Sequence, residues 1–159
     1  MSVATRRRLA QAVILPSIIY GDVIYNGAPA TNLRKVKLAY NNTVRFVTGG
    51  RRYDHVTNDA ARLKLHPPDK LALLHLNKLT HKIVHGAPPV YLQQSTVVLS
   101  DEQSRSGITL LIPQHSLDVY RRSFGFRSAI TWNKLPKQCR NTDNPCEFDK
   151  LCRVSLDFY

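Results

Sequence analysis

Residues 31–50 read TNLRKVKLAYNNTVRFVTGG and predict one amphipathic helix with a defined end. Apolar side chains recur in this stretch every three or four residues, which places them on one face of an α-helix. They are Leu33, Val36, Tyr40, Val44 and Val47. Thr31 or Asn32 is a suitable cap for the first turn, and Gly49-Gly50 stops the helix. The stretch therefore predicts a helix near 31–48 with one buried face.

A second face of this helix is basic. The polar side chains at the same spacing, with the two cations after the stop, are Arg34, Lys37, Asn41, Arg45, Arg51 and Arg52. No acidic residue occurs between Asp22 and Asp54, whereas a merely solvated helix usually carries both signs of charge. We therefore expect these six residues to follow a phosphate backbone, joined by Arg6-Arg7-Arg8. An ordinary solvated face is the alternative.

The charge of the whole chain is unevenly distributed. The chain has 159 residues and a net charge of +12; residues 1–85 carry 14 basic and 4 acidic side chains, and residues 86–159 carry 9 and 7. This asymmetry indicates a polyanionic partner contacted mainly by the first half. A hydrophobic content of 43% excludes the composition typical of disordered proteins.

The remaining patterns predict a mainly α fold with two domains. Residues 1–86 read as a helical bundle, with a helix over 3–26 kinked near Pro16, the helix at 31–48, a short helix over 56–65 and a fourth over 70–85. Residues 87–159 read as a small irregular α+β region. It contains a proline-set connection at 87–92, a polar segment at 95–106, one short strand at 108–112 and a terminal helix over 146–158.

No catalytic or metal site is expected in this chain. Asp101-Glu102 is the only adjacent acidic pair, and it lies outside any strand pattern that converges carboxylates on two metal ions. His81 and His85 have the i, i+4 spacing of zinc ligands, but no third ligand follows, so we expect both to face solvent or phosphate. Cys139, Cys146 and Cys152 match no zinc motif. We expect Cys152 to lie in a core.

The N-terminal residues bear on the cellular compartment. Pro16 interrupts the apolar stretch after Arg8, and no cleavage site follows, which disfavours a secretory signal. We expect an intracellular protein, nuclear or cytoplasmic, with no membrane partner.

A second basic cluster, Arg121-Arg122, lies near Phe124, Phe126 and Trp132, and this arrangement can stack bases. The favoured interpretation is that these aromatic residues form the core of the second half.

Five sequence motifs, in order along the chain, resemble the C-terminal part of non-LTR (LINE-type) retrotransposon reverse transcriptases, with the jockey-like clade most similar. The motifs are PSIIYG at 16–21, RFVTG at 45–49, LKLHP at 63–67, KIVHG with PPVYL at 82–92, and a tail of RSF at 122–124, WNKLP at 132–136 and FDKL at 148–151. The resemblance covers nearly the whole chain.

This resemblance implies that residues 1–86 are a polymerase thumb and that residues 87–159 are the C-terminal region of the family. The implied function is that of a fragment of an RNA-directed DNA polymerase, gripping the backbone of an RNA–DNA hybrid or duplex. The family's palm, with its Ala-Asp-Asp turn, is expected upstream as a missing partner domain. The parent polymerase would use Mg²⁺, whereas no cofactor is expected here, and the chain alone is expected to be inactive. The alternatives are a stand-alone nucleic-acid-binding module and a remnant without function.

Overall fold

The computed structural model describes residues 1–86, 91–92, 107–114 and 116–158, and these are mainly helical, as predicted. The chain divides into two compact units, Met1–Ala72 and Leu73–Tyr159. The sequence places a domain boundary after Gly86 instead, and the two predicted domains stay a prediction. Residues 87–90 of the predicted connection at 87–92, the polar segment at 95–106 and the Asp101-Glu102 pair lie outside the described residues.

The first unit begins with four short helical segments, where the sequence predicts a single helix over 3–26. They are α1 (Val3–Leu9), a π-helical segment (Ala10–Ile14), α2 (Leu15–Ile19) and α3 (Asp22–Tyr25). The π-helical segment contains Ala12, four residues before Pro16, and in a regular helix the proline ring clashes with the carbonyl at that position. The predicted helix over 3–26 is wrong beyond Ile19, because Tyr20 is extended and Gly21 has a φ of 69°. Glycine adopts that left-handed conformation at low cost.

The longest helix of the first unit is α4 (Ala30–Thr48), which closely matches the predicted helix. Its predicted apolar face is confirmed, since Tyr40, Val44 and Val47 are buried. Gly49 ends it with a φ of 78°, as expected for a glycine stop. The predicted caps are wrong, because Pro29 occupies the N-cap and its fixed φ starts the helix one residue earlier.

The core of the first unit is built around α4. Two further helices join it, α5 (Thr57–Arg62) and the first turns of α6 (Pro68–His85). The buried side chains packed together are Ala10, Tyr40, Val44, Val47, Ala60, Leu63 and Leu65. The Tyr40 hydroxyl donates to the main-chain oxygen of Leu65. This packing fixes which face of α4 remains at the surface.

The second unit contains the later turns of α6 and four helices nearer the C-terminus. These are α7 (Asp118–Arg121), α8 (Phe124–Asn133), α9 (Lys137–Arg140) and α10 (Pro145–Ser155). Trp132 and Phe148 are the largest fully buried side chains. Cys152 points inward from α10, as predicted, and so does Phe148. The terminal helix ends at Ser155 instead of 158, and Asp157 has a φ of 54°.

The segment predicted as a strand at 108–112 has only a single bridge residue, Leu110, among the described residues. Side chains of a distant helix take up several of its main-chain groups. Asn133 Oδ1 accepts from the Leu110 N–H at 3.0 Å, and Asn133 Nδ2 donates to the Leu110 oxygen at 2.9 Å. The Ile108 oxygen accepts from Trp132 Nε1 at 3.1 Å. Since Leu110 alone of the described residues 108–112 is in a bridge, the prediction of a strand over them is wrong.

Candidate nucleic-acid interface

Arg34 and Lys37 lie one helical turn apart on the exposed face of α4. Neither side chain makes a hydrogen bond or an ion pair within the described part of the chain. The adjoining face of the helix, with Tyr40 and Val44, is held by the core. Both cations therefore extend from a well-anchored helix and keep their donors available to an anion.

Arg45 lies on the same face but is half-buried and already engaged. Its Nε and Nη2 atoms donate to the main-chain oxygen of Asp54 at 3.2 and 3.0 Å. Its Nη1 donates to Asn42 Oδ1 at 3.2 Å. Asn41, also predicted as a contact, is half-buried. On α4, Arg34 and Lys37 therefore have N–H donors that are free among the described residues, whereas the guanidinium of Arg45 is already hydrogen-bonded.

Arg51 and Arg52 are exposed in the turn that follows α4. The turn is tied at both ends, because the Arg51 N–H donates to the Asp54 carboxylate at 2.6 Å while Arg45 holds the Asp54 oxygen. The guanidinium of Arg52 lies 5.8 Å from the centre of the Tyr53 ring. Arg45 therefore helps to set the position of two cations that reach solvent.

Arg6 joins α1 to the end of α4. Its Nη1 donates to the main-chain oxygen of Phe46 at 3.2 Å, close to Gly49. A cation near the last carbonyls of a helix also complements the helix dipole. Arg8 is exposed, whereas Arg6 and Arg7 are half-buried. Within Arg6-Arg7-Arg8, Arg6 therefore makes a structural contact, whereas Arg8 lies at the surface.

A depression of about 320 Å³ lies beside Arg34 and Lys37. Its apolar lining comes from Leu33, Val36 and Pro68. Polar groups reach it from Asn26 and Asp69. Asp69 brings a carboxylate near this part of the basic face. The sequence did not indicate it, because no acidic residue occurs between Asp22 and Asp54. The sequence reasoning missed the depression because its lining combines three separate segments.

The second unit contains a histidine pair that the sequence analysis placed wrongly at the surface. His81 is 3% exposed, and the side chain of His85 is 7% exposed. The ring centres lie 4.8 Å apart, and His81 stacks on Phe148 at 4.2 Å. One signal was available, since His81 follows the buried Leu74 by seven residues and so shares its face of the helix.

The polar atoms of this pair face acceptors on the segment before α10. His81 Nε2 lies 2.8 Å from the Thr142 oxygen, and His85 Nε2 lies 2.9 Å from the Arg140 oxygen. His85 Nδ1 lies 2.6 Å from the Asp143 carboxylate. Burial lowers the pKa of His81, although its bond to Thr142 opposes that effect. These contacts make the pair a structural clamp, with the Nε2 atoms occupied.

The aromatic cluster near Arg121-Arg122 has a core residue, Trp132, at its centre. Trp132 is fully buried, which confirms its predicted place in the core and removes it from base stacking. Phe124 and Phe126 are half-buried. Arg122 pairs with Asp118 at 3.0 Å across one turn. The first unit therefore offers the better candidate interface.

In the described ranges no three His, Cys, Asp or Glu side chains are grouped to hold a metal ion. Across the same residues, no helix combines the length and apolar character needed to cross a bilayer. Comparisons of the chain with protein-family models, curated proteins and solved structures find no significant match.

Proposed function

We propose that the first unit, residues 1–72, binds the phosphate backbone of nucleic acid, with Arg34 and Lys37 as its principal contacts. The observation that carries this proposal is the exposure of two cations, unpaired among the described residues, on a helix whose adjoining face is packed into the core. Their position is set before binding, so little backbone order has to be gained on association. Phosphate contacts of this kind position a protein on nucleic acid without reading its sequence.

Arg51 and Arg52 extend the same interface beyond the end of α4. From Arg34 to Arg45 the helix rises about 16 Å, and the tied turn follows at that end. Cations at both ends of the helix are suited to successive phosphates of one strand or to the two strands across a groove. Arg45 acts in this arrangement as a positioning residue through Asp54.

The resemblance supplies the context for this interface. We propose that the chain corresponds to the thumb and C-terminal region of a non-LTR reverse transcriptase and depends on a palm for catalysis. The sequence of the transcript upstream of the Met1 codon tests this idea. An in-frame palm with an Ala-Asp-Asp turn supports a polymerase fragment, whereas its absence favours a stand-alone binding module.

Binding itself is tested by fluorescence anisotropy with an RNA–DNA hybrid and a DNA duplex over a range of salt concentrations. We expect log Kobs to fall linearly with log salt, by about 0.9 for each phosphate contact on duplex DNA. Arg34→Ala/Lys37→Ala should therefore reduce that slope by about 2. The matched control is Lys35→Ala/Lys64→Ala, which removes the same charge from exposed positions outside this face that are unpaired within the described ranges.

Three results separate the alternatives. A loss of affinity and slope confined to Arg34→Ala/Lys37→Ala supports the proposed interface. Equal losses in both double variants show that net charge, not this face, drives the binding. Absence of binding by the folded wild-type chain refutes the proposal and leaves a remnant whose basic face is only solvated.

A further inference from the structure

We propose that the depression beside α4 binds one unpaired nucleotide, with guanine as the preferred base. This inference rests on the proposed function, because Arg34 and Lys37 serve both as backbone contacts and as part of the lining of the depression. It adds a base-binding site to an interface that otherwise reads only phosphate. The remaining contacts come from α3, α4 and the start of α6.

The size and lining of the depression suit a nucleotide. Its volume of about 320 Å³ is at the lower end of the range of small-ligand pockets. Leu33, Val36 and Pro68 present apolar surface, on which the flat face of a base can be buried. A paired base within a duplex has its hydrogen-bonding edge covered and cannot enter. The ligand is therefore a single-stranded or overhanging nucleotide.

The charges around the depression orient that nucleotide. Arg34 and Lys37 attract its phosphate, whereas the exposed Asp69 carboxylate repels phosphate and accepts hydrogen bonds. Guanine suits such an acceptor best, since its Watson–Crick edge presents two neighbouring N–H donors to the two carboxylate oxygens. Uracil presents a single N–H between two carbonyl oxygens. The Asn26 amide supplies a donor and an acceptor for the remaining base edge.

Ala30 provides a way to block the depression without removing charge. It is exposed and contributes to the lining, so a tryptophan at this position fills the space from the surface. Thr31→Trp is the matched control, because Thr31 is exposed on the same turn of α4 and lies outside the lining. Asp69→Asn tests base preference, since an amide of the same shape replaces an acceptor pair with one donor and one acceptor.

The test measures anisotropy of a labelled oligouridine RNA, with and without one central guanosine, in parallel with the DNA duplex. Wild type should bind the guanosine oligomer about tenfold more tightly than oligouridine. Ala30→Trp should remove that advantage and leave duplex affinity unchanged, while Thr31→Trp retains both. Asp69→Asn should abolish the preference for guanosine. Circular dichroism confirms that each variant is folded.

Titration with GMP provides a measurement that needs no variant. We expect saturable shifts of the amide signals of Asn26, Val36 and Asp69 in NMR spectra, with smaller shifts for UMP. Equal binding of both oligomers, or equal affinities of Ala30→Trp and Thr31→Trp, overturns the pocket while duplex binding through Arg34 and Lys37 still stands. Duplex binding by Arg34→Ala/Lys37→Ala that equals that of wild type instead refutes the proposed function.

Discussion

The guanidinium of Arg45 donates two hydrogen bonds to the main-chain oxygen of Asp54, from Nε at 3.2 Å and from Nη2 at 3.0 Å. The same Asp54 accepts the N–H of Arg51 through its carboxylate. One side chain on α4 therefore holds the turn that carries Arg51 and Arg52. The basic face of this protein combines residues that are available for contact with a residue that positions others.

Replacement of Arg45 by alanine should destabilise the protein. The variant loses both bonds to the Asp54 oxygen, and we expect the free energy of unfolding to fall by about 1 kcal/mol. Urea denaturation followed by circular dichroism measures that change. Arg34→Ala is the comparison, because Arg34 makes no such bond in the described part of the chain and its loss should alter stability by less than about 0.5 kcal/mol. Equal stability of the two variants would contradict a structural role for Arg45.

The two residues also differ in their expected effect on nucleic-acid binding. Arg34→Ala should weaken binding and reduce its salt dependence without a change in stability. Arg45→Ala should weaken binding less, through a looser Arg51–Arg52 turn. Anisotropy at a temperature where both variants are folded separates these effects. A larger loss in Arg45→Ala than in Arg34→Ala would assign the phosphate contact to Arg45 itself.

The features predicted correctly from the sequence depend on local periodicity. Tyr40, Val44 and Val47 share a spacing that defines a buried face in any packed helix, and Gly49 ends that helix through its own backbone freedom. The engagement of Arg45 was not predictable in this way. Its partner is a main-chain oxygen nine residues away, and any turn that returns toward the helix could have placed a different group there.

The same limit explains the errors in the second unit. A run of β-branched and leucine residues predicts a strand at 108–112, but the pattern cannot show that Asn133 and Trp132 supply hydrogen bonds from a distant helix. His81 and His85 have polar side chains, yet tertiary packing buries both of them. Their acceptors lie more than fifty residues further along the chain, beyond the reach of local patterns.

Acid should destabilise the protein through His81. Burial lowers its pKa in the folded state, whereas in the unfolded chain it titrates near 6.5. Between those two values the unfolded state binds more protons, so the free energy of unfolding decreases as the pH falls. The contribution is complete above about pH 6.5 and is lost as the pH falls through the lowered folded-state pKa. Denaturation midpoints between pH 7.5 and pH 5 measure the effect.

His81→Gln is the variant that isolates this contribution. Glutamine retains an amide donor for the Thr142 oxygen but does not titrate, so the decrease in stability below pH 6.5 should become shallower. His85 and Asp143 remain in place in this variant. The control is His55→Gln at an exposed position of the first unit, which should keep the wild-type profile. An unchanged pH profile in His81→Gln would show that another group controls acid stability.

The paired hydrogen bonds between Asn133 and Leu110 should contribute to the stability of the second unit. Leu110 is 3% exposed, so Asn133→Ala leaves its buried N–H and oxygen without these partners. We expect a loss of about 2 kcal/mol in the free energy of unfolding. Gln138→Ala, at an exposed site on α9, should cost less than about 0.5 kcal/mol. A loss in Asn133→Ala no larger than in this control would contradict the structural role.

Thiol reactivity should distinguish the three cysteines in the native protein. Cys146 is exposed, whereas Cys139 and Cys152 are buried. Burial raises the pKa of Cys152 to about 11 and also raises that of Cys139, so neither presents an accessible thiolate near neutral pH. A disulfide reagent should therefore label one thiol rapidly in the native chain and all three in denaturant. Cys146→Ser should remove the rapid phase, and rapid labelling that persists in this variant would show that α9 or α10 opens readily.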